Sequence, residues 1–184
     1  MTRYVALLRG INVGGRTRVA MADLRRLALD LGHAEVETYL QSGNLLFSSP
    51  AGKPARLAGE IERRIAKDLG LSVTVLLRTG DELERVAAGN PFLGRSADPA
   101  KLHVTFLAEA PDPERAAQLE APAGQPDQLS LTGREVYLHT PNGYGRSKLS
   151  NAFLEKRLGV AATTRNWKTV GKLRDLASSA VEGP

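Results

Sequence analysis

Apolar positions along the chain follow two periods, and the switches between them mark its elements. Tyr4 to Leu8 is a short, nearly unbroken apolar run, the pattern of a strand with both faces covered. Leu24, Leu27, Ala28 and Leu31 then recur at three- and four-residue spacing, and Gly32 stands where a helix needs a left-handed terminator. Val36–Leu40 and Leu45–Ser48 are rich in β-formers and flank Gln41-Ser42-Gly43-Asn44, whose Gly and Asn tolerate the positive φ of a tight turn, so a hairpin is predicted. Leu57, Ile61, Ile65 and Leu69, spaced by four between Pro54 and Gly70, predict a second helix, and Val73–Leu77 a fourth strand.

The order strand, helix, strand, strand, helix, strand is that of the split βαβ, or ferredoxin-like, arrangement. A bridging helix at Asp81–Ala88 leads into GNPFLGRSADPA, whose prolines and glycines mark a linker. The pattern then restarts. Leu102–Leu107 reads as a strand, and Asp112-Pro113 as the cap and first position of a short helix ending near Glu120. Leu129–Leu131 and Val136–His139 form a second hairpin about Thr132-Gly133, and Ser147–Leu158 is a helix stopped by Gly159. Ala161–Thr164 is a last strand, and Trp167, Val170, Leu173 and Leu176 mark a final helix. The fold class expected is α+β: two tandem ferredoxin-like halves with antiparallel sheets and an additional C-terminal helix. The corresponding limits are residues 1–80, a bridging helix and linker at 81–100, and residues 101–184; one continuous α+β sheet is the alternative.

Composition narrows the chemistry. In 184 residues, 42% hydrophobic content supplies a core, and the absence of cysteine removes disulfides, thiolate metal sites and thiol nucleophiles. That usage fits a reducing cytoplasm, the expected location. No stretch approaches the roughly 20 apolar residues of a membrane span, so no membrane partner is expected. A formal charge of +5 favours anionic partners.

LLRGINVGG, TYLQSGNLLFSS, GYGRSKLSNAFLEKRLG and TTRNWKTVGKL together resemble a widespread, mostly bacterial family known only as a domain of unknown function. The resemblance spans almost the whole chain. It implies the tandem ferredoxin-like fold, and it brings no activity and no catalytic residues. The matching positions are Arg9, Gly10, Asn12, Gly14 and Gly15, then Gln41 to Asn44, then Arg165, Asn166 and Trp167. Lys168 departs from the family's RNWNT pattern and weakens any role for that position.

Positive charge and glycine coincide at two loops. Arg9, Asn12, Gly14, Gly15 and Arg16 follow the first strand, where backbone N–H groups could cradle a phosphate while Arg9, Arg16 and Arg18 pair with it. The spacing is that of neither a P-loop nor a dinucleotide fingerprint, and the same glycines also suit a tight crossover. Gly143, Gly145, Arg146, Ser147 and Lys148 lie between a strand and a helix start, where unpaired N–H groups favour an anion; Ser147 could equally do no more than cap that helix. From Arg146 to Arg174 basic residues face the single acid Glu155, and Trp167 between Arg165 and Lys168 either stacks on a base or ring or packs in the core with Val170 and Leu173.

Catalytic signals are weak. His33, His103 and His139 are dispersed without metal-ligand spacing, Ser42 lacks a nucleophile elbow, and the aromatic signature of an RNA-recognition motif is missing. No cofactor and no metal is expected, and no motif specifies an oligomeric state. The expected function is a basic anion-binding module for nucleic acid or another phosphorylated partner, with a cleft between the halves as its site. A small enzyme acting on a phosphorylated or carboxylated metabolite is the alternative, and a regulatory domain meeting an acidic protein a third.

Overall fold

The structure is a computed structural model describing residues 1–94 and 98–178. Arg95–Ala97 of the predicted linker, and the tail beyond Ser178, lie outside the described residues. Two compact units are present: Met1–Glu84 with the stretch from Leu173 onward, and Arg85–Lys172. Among the described residues the chain forms two four-stranded antiparallel sheets and six helices, an α+β fold.

In the first unit β1 (Thr2–Leu8) leads through a loop to α1 (Met21–Asp30), then β2 (Ala34–Tyr39), β3 (Asn44–Ser49), α2 (Pro54–Leu69) and β4 (Val75–Thr79). The sheet order is β2-β3-β1-β4, with Tyr4 opposite both Phe47 and Thr79. Alternate residues Tyr4, Ala6 and Leu8 join Leu45, Phe47, Val75 and Leu77 in a core with Leu24 and Leu27 of α1 and Leu57, Ile61 and Ile65 of α2. α2 has the predicted limits because its signals are local: a proline in the first turn, apolar residues every fourth position, and Gly70 at φ 66°. β4 begins two residues later than predicted, since pairing with β1 runs from Leu8–Val75 to Tyr4–Thr79. Val73 is buried before the strand starts, and the Thr74 carbonyl accepts the Arg9 amide at 2.9 Å.

β2 carries Glu35 and Glu37, which alternate with half-buried residues at the sheet edge. Their chemistry is structural. Arg3, buried on β1, pairs with Glu37 at 2.7 Å and donates to the Glu35 carbonyl, while the Ser48 hydroxyl donates to the Glu35 carboxylate.

In the second unit β5 (Leu102–Leu107), α4 (Pro113–Ala117), β6 (Gln128–Thr132), β7 (Glu135–His139), α5 (Asn151–Leu158) and β8 (Ala162–Asn166) form a sheet of order β6-β7-β5-β8. Asp112 caps α4 by accepting from the Glu114 and Arg115 amides. Leu107, Val136 and Leu138 pack with Leu149, Leu154, Leu158 and Ala162. α3 (Gly80–Ala88) and α6 (Trp167–Ser178) each have residues in both units.

The helix predicted from Ser147 starts at Asn151, a correction with a specific cause. Ser150 caps α5 by accepting the Phe153 amide at 3.2 Å. The Ser147 hydroxyl is committed elsewhere: it donates to Asp127 at 2.6 Å and accepts the Leu149 amide at 3.0 Å.

Candidate functional site

The loop between β1 and α1 is a small hairpin built on local chemistry. Gly14 and Gly15 both have positive φ, 60° and 74°, and the Arg16 amide donates to the Val13 carbonyl at 3.2 Å, closing a two-residue turn of the mirror-image type. Asn12 and Thr17 flank it, also left-handed, joined by the Asn12 amide on the Thr17 carbonyl at 3.0 Å. The Asn12 side chain staples this hairpin to its surroundings. Its Nδ2 donates to the Val19 carbonyl at 3.0 Å and the Gln41 carbonyl at 2.7 Å, and its Oδ1 accepts the Val19 amide at 2.9 Å.

Gln41 belongs to the β2–β3 turn, which approaches closely for a different reason. A Cβ on Gly43 would stand 2.5 Å from Cδ1 of Ile11 and 3.0 Å from Cβ of Leu8, so only glycine lets the turn lie against β1. Asn44, fully buried, donates to the Tyr39 carbonyl at 2.7 Å and the Ser42 hydroxyl at 3.1 Å. Beside these two turns lies a concavity of about 530 Å³ lined by Asn12, Gly15, Arg18, Val19, Ala20 and Gln41. Arg16 and Arg18 are exposed here, and Arg9 is half-buried at the end of β1. The structure thus gathers Asn12 and Gly15 with Arg18 and Gln41 in one groove. Arg18 is one of the three arginines the sequence assigns to this loop; Gln41 is the addition, and its signal lay in the hairpin turn.

The second loop is internally bonded. The amides of Arg146, Ser147 and Lys148 donate to the Gly143 carbonyl, the Tyr144 carbonyl and Oε1 of Gln125, at 3.2, 3.0 and 3.1 Å. Tyr144 stacks on His103 with ring centroids 4.7 Å apart; burial raises the Tyr144 hydroxyl and lowers the His103 imidazole from their ordinary values. Arg146, Gly145 and Lys148 are exposed, and Gly143 has φ 92°. What this loop offers an anion is therefore the pair of cationic side chains more than a cradle of amides.

β8 and α6 place the last group. Arg165 is only 7% exposed, and its guanidinium donates to the Thr163 hydroxyl at 2.8 Å and the Thr164 carbonyl at 3.0 Å. Burial pushes it down to about 10. Asn166 accepts the Thr169 amide at 2.8 Å, as a cap on the first turn of α6, and Trp167 is half-buried. Arg165 has a counterpart that the sequence reading missed: Arg78 on β4 is 1% exposed and sits opposite Val5 as Arg165 sits opposite Val104. Among the described residues no helix is long and apolar enough to cross a membrane, and no group of three or more His, Asp or Glu is placed to hold a metal ion.

A family model described as protein of unknown function (DUF1697) matches residues 1–137, from β1 through most of β7. The chain belongs to this family. The DUF1697 chain is also similar to the conserved bacterial protein SP0830 from Streptococcus pneumoniae, a solved structure, at 28% identity and a TM-score of 0.73, over 96% of this chain and 98% of that one. No curated protein matches the DUF1697 chain.

Proposed function

We propose that this DUF1697 protein, built of two ferredoxin-like halves, is a basic anion-binding module acting in the cytoplasm on nucleic acid or another phosphorylated partner. The observation that carries the reading is the groove beside the β1–α1 hairpin, where Arg18 lines a concave surface whose backbone is stapled by Asn12, with Arg16 exposed on the same hairpin. A preorganised backbone lowers the ordering cost of gripping an anion, and guanidinium groups bind phosphate in bidentate fashion. Arg9, Gly14 and Gly15 belong to this proposal as the frame that positions Arg16 and Arg18. Gly143, Gly145, Arg146, Ser147 and Lys148 make a second point of contact through Arg146 and Lys148, and Asn166 and Trp167 a third where β8 passes into α6. Arg165, buried and bonded within its own strand, acts by holding β8 in place.

The test is fluorescence anisotropy with labelled single-stranded RNA, single-stranded DNA and duplex DNA across a salt series. Wild type should bind with a log–log slope reporting several released counterions, and Arg16→Ala with Arg18→Ala should reduce the slope by about two and the affinity by tenfold or more. Unchanged binding in the double variant refutes the groove. The groove's volume, about 530 Å³, favours as second reading a small phosphorylated or carboxylated metabolite, as substrate of a small enzyme, since such ligands occupy pockets of roughly 300–1,000 Å³. Competition by small phosphates without nucleic-acid binding would select it.

A further inference from the structure

A second basic groove lies on the other unit, formed by α4 and α5. Arg115, Gln118, Phe153, Lys156 and Arg157 line a concavity of about 640 Å³. Three of the five side chains are cations, none is a carboxylate, and Arg115, Gln118, Lys156 and Arg157 are exposed. The acids nearest in sequence are Asp112, Glu114, Glu120 and Glu155, and none of them lines the groove. Asp112 accepts the Glu114 and Arg115 amides as the cap of α4, and Glu155, on α5 itself, accepts the Ala162 amide at 3.0 Å. Among the described residues Arg115, Lys156 and Arg157 form no ion pair within 4.0 Å.

The groove is also held in shape. Arg115 Nη1 reaches the Arg157 carbonyl at 3.5 Å, at the C-terminal end of α5, where the helix dipole favours a cation. Gly159, left-handed at φ 74° after the end of α5, lies beside this contact: a Cβ there would stand 3.2 Å from the Arg115 guanidinium. The Arg157 guanidinium lies over the Phe153 ring, 5.4 Å from its centroid, so its plane is oriented by the aromatic face. These two arginines and Lys156 present several N–H donors to a common space.

We propose that the α4–α5 groove is a binding site for a polyphosphate group, with Arg115, Lys156 and Arg157 as its ligands. Three converging cations without a counter-carboxylate suit a ligand carrying several negative charges on adjacent phosphoryl groups, and the volume admits a nucleotide. The polyphosphate reaches the groove either as inorganic tripolyphosphate or as the tail of a nucleoside triphosphate whose ring adds stacking on the Phe153–Arg157 pair. This site is separate from the hairpin groove of the first unit, so the proposal stands whether or not that reading does.

Isothermal titration calorimetry of the full chain with sodium tripolyphosphate, ATP and adenosine, at low and at near-physiological salt, tests it. Tripolyphosphate and ATP should bind, and adenosine should not. Lys156→Gln with Arg157→Gln, exposed positions outside the cores, should weaken both by at least tenfold with an unchanged circular dichroism spectrum. Arg63→Gln with Lys67→Gln, exposed on α2 and outside both grooves, should leave them within twofold. Tighter binding of ATP than of tripolyphosphate identifies the nucleotide as the source; equal binding identifies the inorganic group. Absence of heat from either phosphate with wild type, or equal affinity in the Lys156/Arg157 variant, overturns the proposal. So does loss confined to the Arg16/Arg18 variant, which would move the anion to the hairpin groove.

Discussion

Asn12 carries the organisation of the hairpin groove, and its removal has a size that follows from the geometry. Three hydrogen bonds disappear with the side-chain amide: two donated to the carbonyls of Val19 and Gln41 and one accepted from the Val19 amide. With net contributions of about 0.5–1.5 kcal/mol each, and the Gln41 bond exposed to competing water, the set stabilises the native state by about 2 kcal/mol. Asn12 also has φ 54°, where alanine is strained by about 1 kcal/mol and glycine is not. Asn12→Gly should therefore lose about 2 kcal/mol and Asn12→Ala about 3. In urea unfolding, with a slope near 2 kcal/mol/M, the midpoints should fall by about 1 M and about 1.5 M, the slope itself unchanged. A glycine variant whose midpoint stays within about 0.2 M of wild type would show that the staple is not holding the loop. Equal losses in both variants would dismiss the backbone part of the reasoning.

Two further outcomes are expected. His33 is buried against Phe47, ring centroids 4.3 Å apart, and burial lowers its imidazole from the ordinary 6.5 against a smaller opposing pull from Glu60. Its neutral form is favoured in the fold, so the associated stability is whole above about pH 6.5 and is lost as pH falls below that value. Chemical denaturation of wild type and His33→Leu between pH 7.5 and pH 5 should show a smaller acid loss in the variant; parallel curves would refute this account of the acid sensitivity. Ser150→Ala should cost about 1 kcal/mol through the lost cap of α5. Ser147→Ala should cost at least as much, because it leaves the buried Asp127 carboxylate without the hydroxyl that donates to it, as thermal unfolding of the pair would reveal.

Elements specified by their own residues were legible in the sequence. α2 carries its start, its face and its stop within one segment, and Leu102–Leu107 forms a strand with the expected ends. Limits set by partners were not. β4 is displaced by its register with β1, and the start of α5 turns on which of two serines meets Asp127, twenty residues before Ser147 in the chain. At the first loop the sequence indicated glycine and charge together, but the two-residue turn depends on backbone pairing between Val13 and Arg16. The burial of Arg165 and Arg78 was hidden because a guanidinium reads as a surface group until its strand is placed within a covered sheet. The α4–α5 groove joins positions some forty residues apart, and no local pattern signals it.

One compact unit of this chain is discontinuous: Met1–Glu84 is grouped with the segment from Leu173 onward, where Leu173 and Ala177 are buried, Ala177 packs beside Gly80, and Ser178 donates to Glu84 at 3.0 Å. During synthesis the ribosome delivers that segment only after the whole of the second unit. The first-made portion must therefore wait, with its final helical turns missing, while the whole intervening unit emerges and folds. A chain truncated after Lys172 would hold the whole of the second unit and an incomplete first one, so the order of translation and the order of completion run in opposite directions.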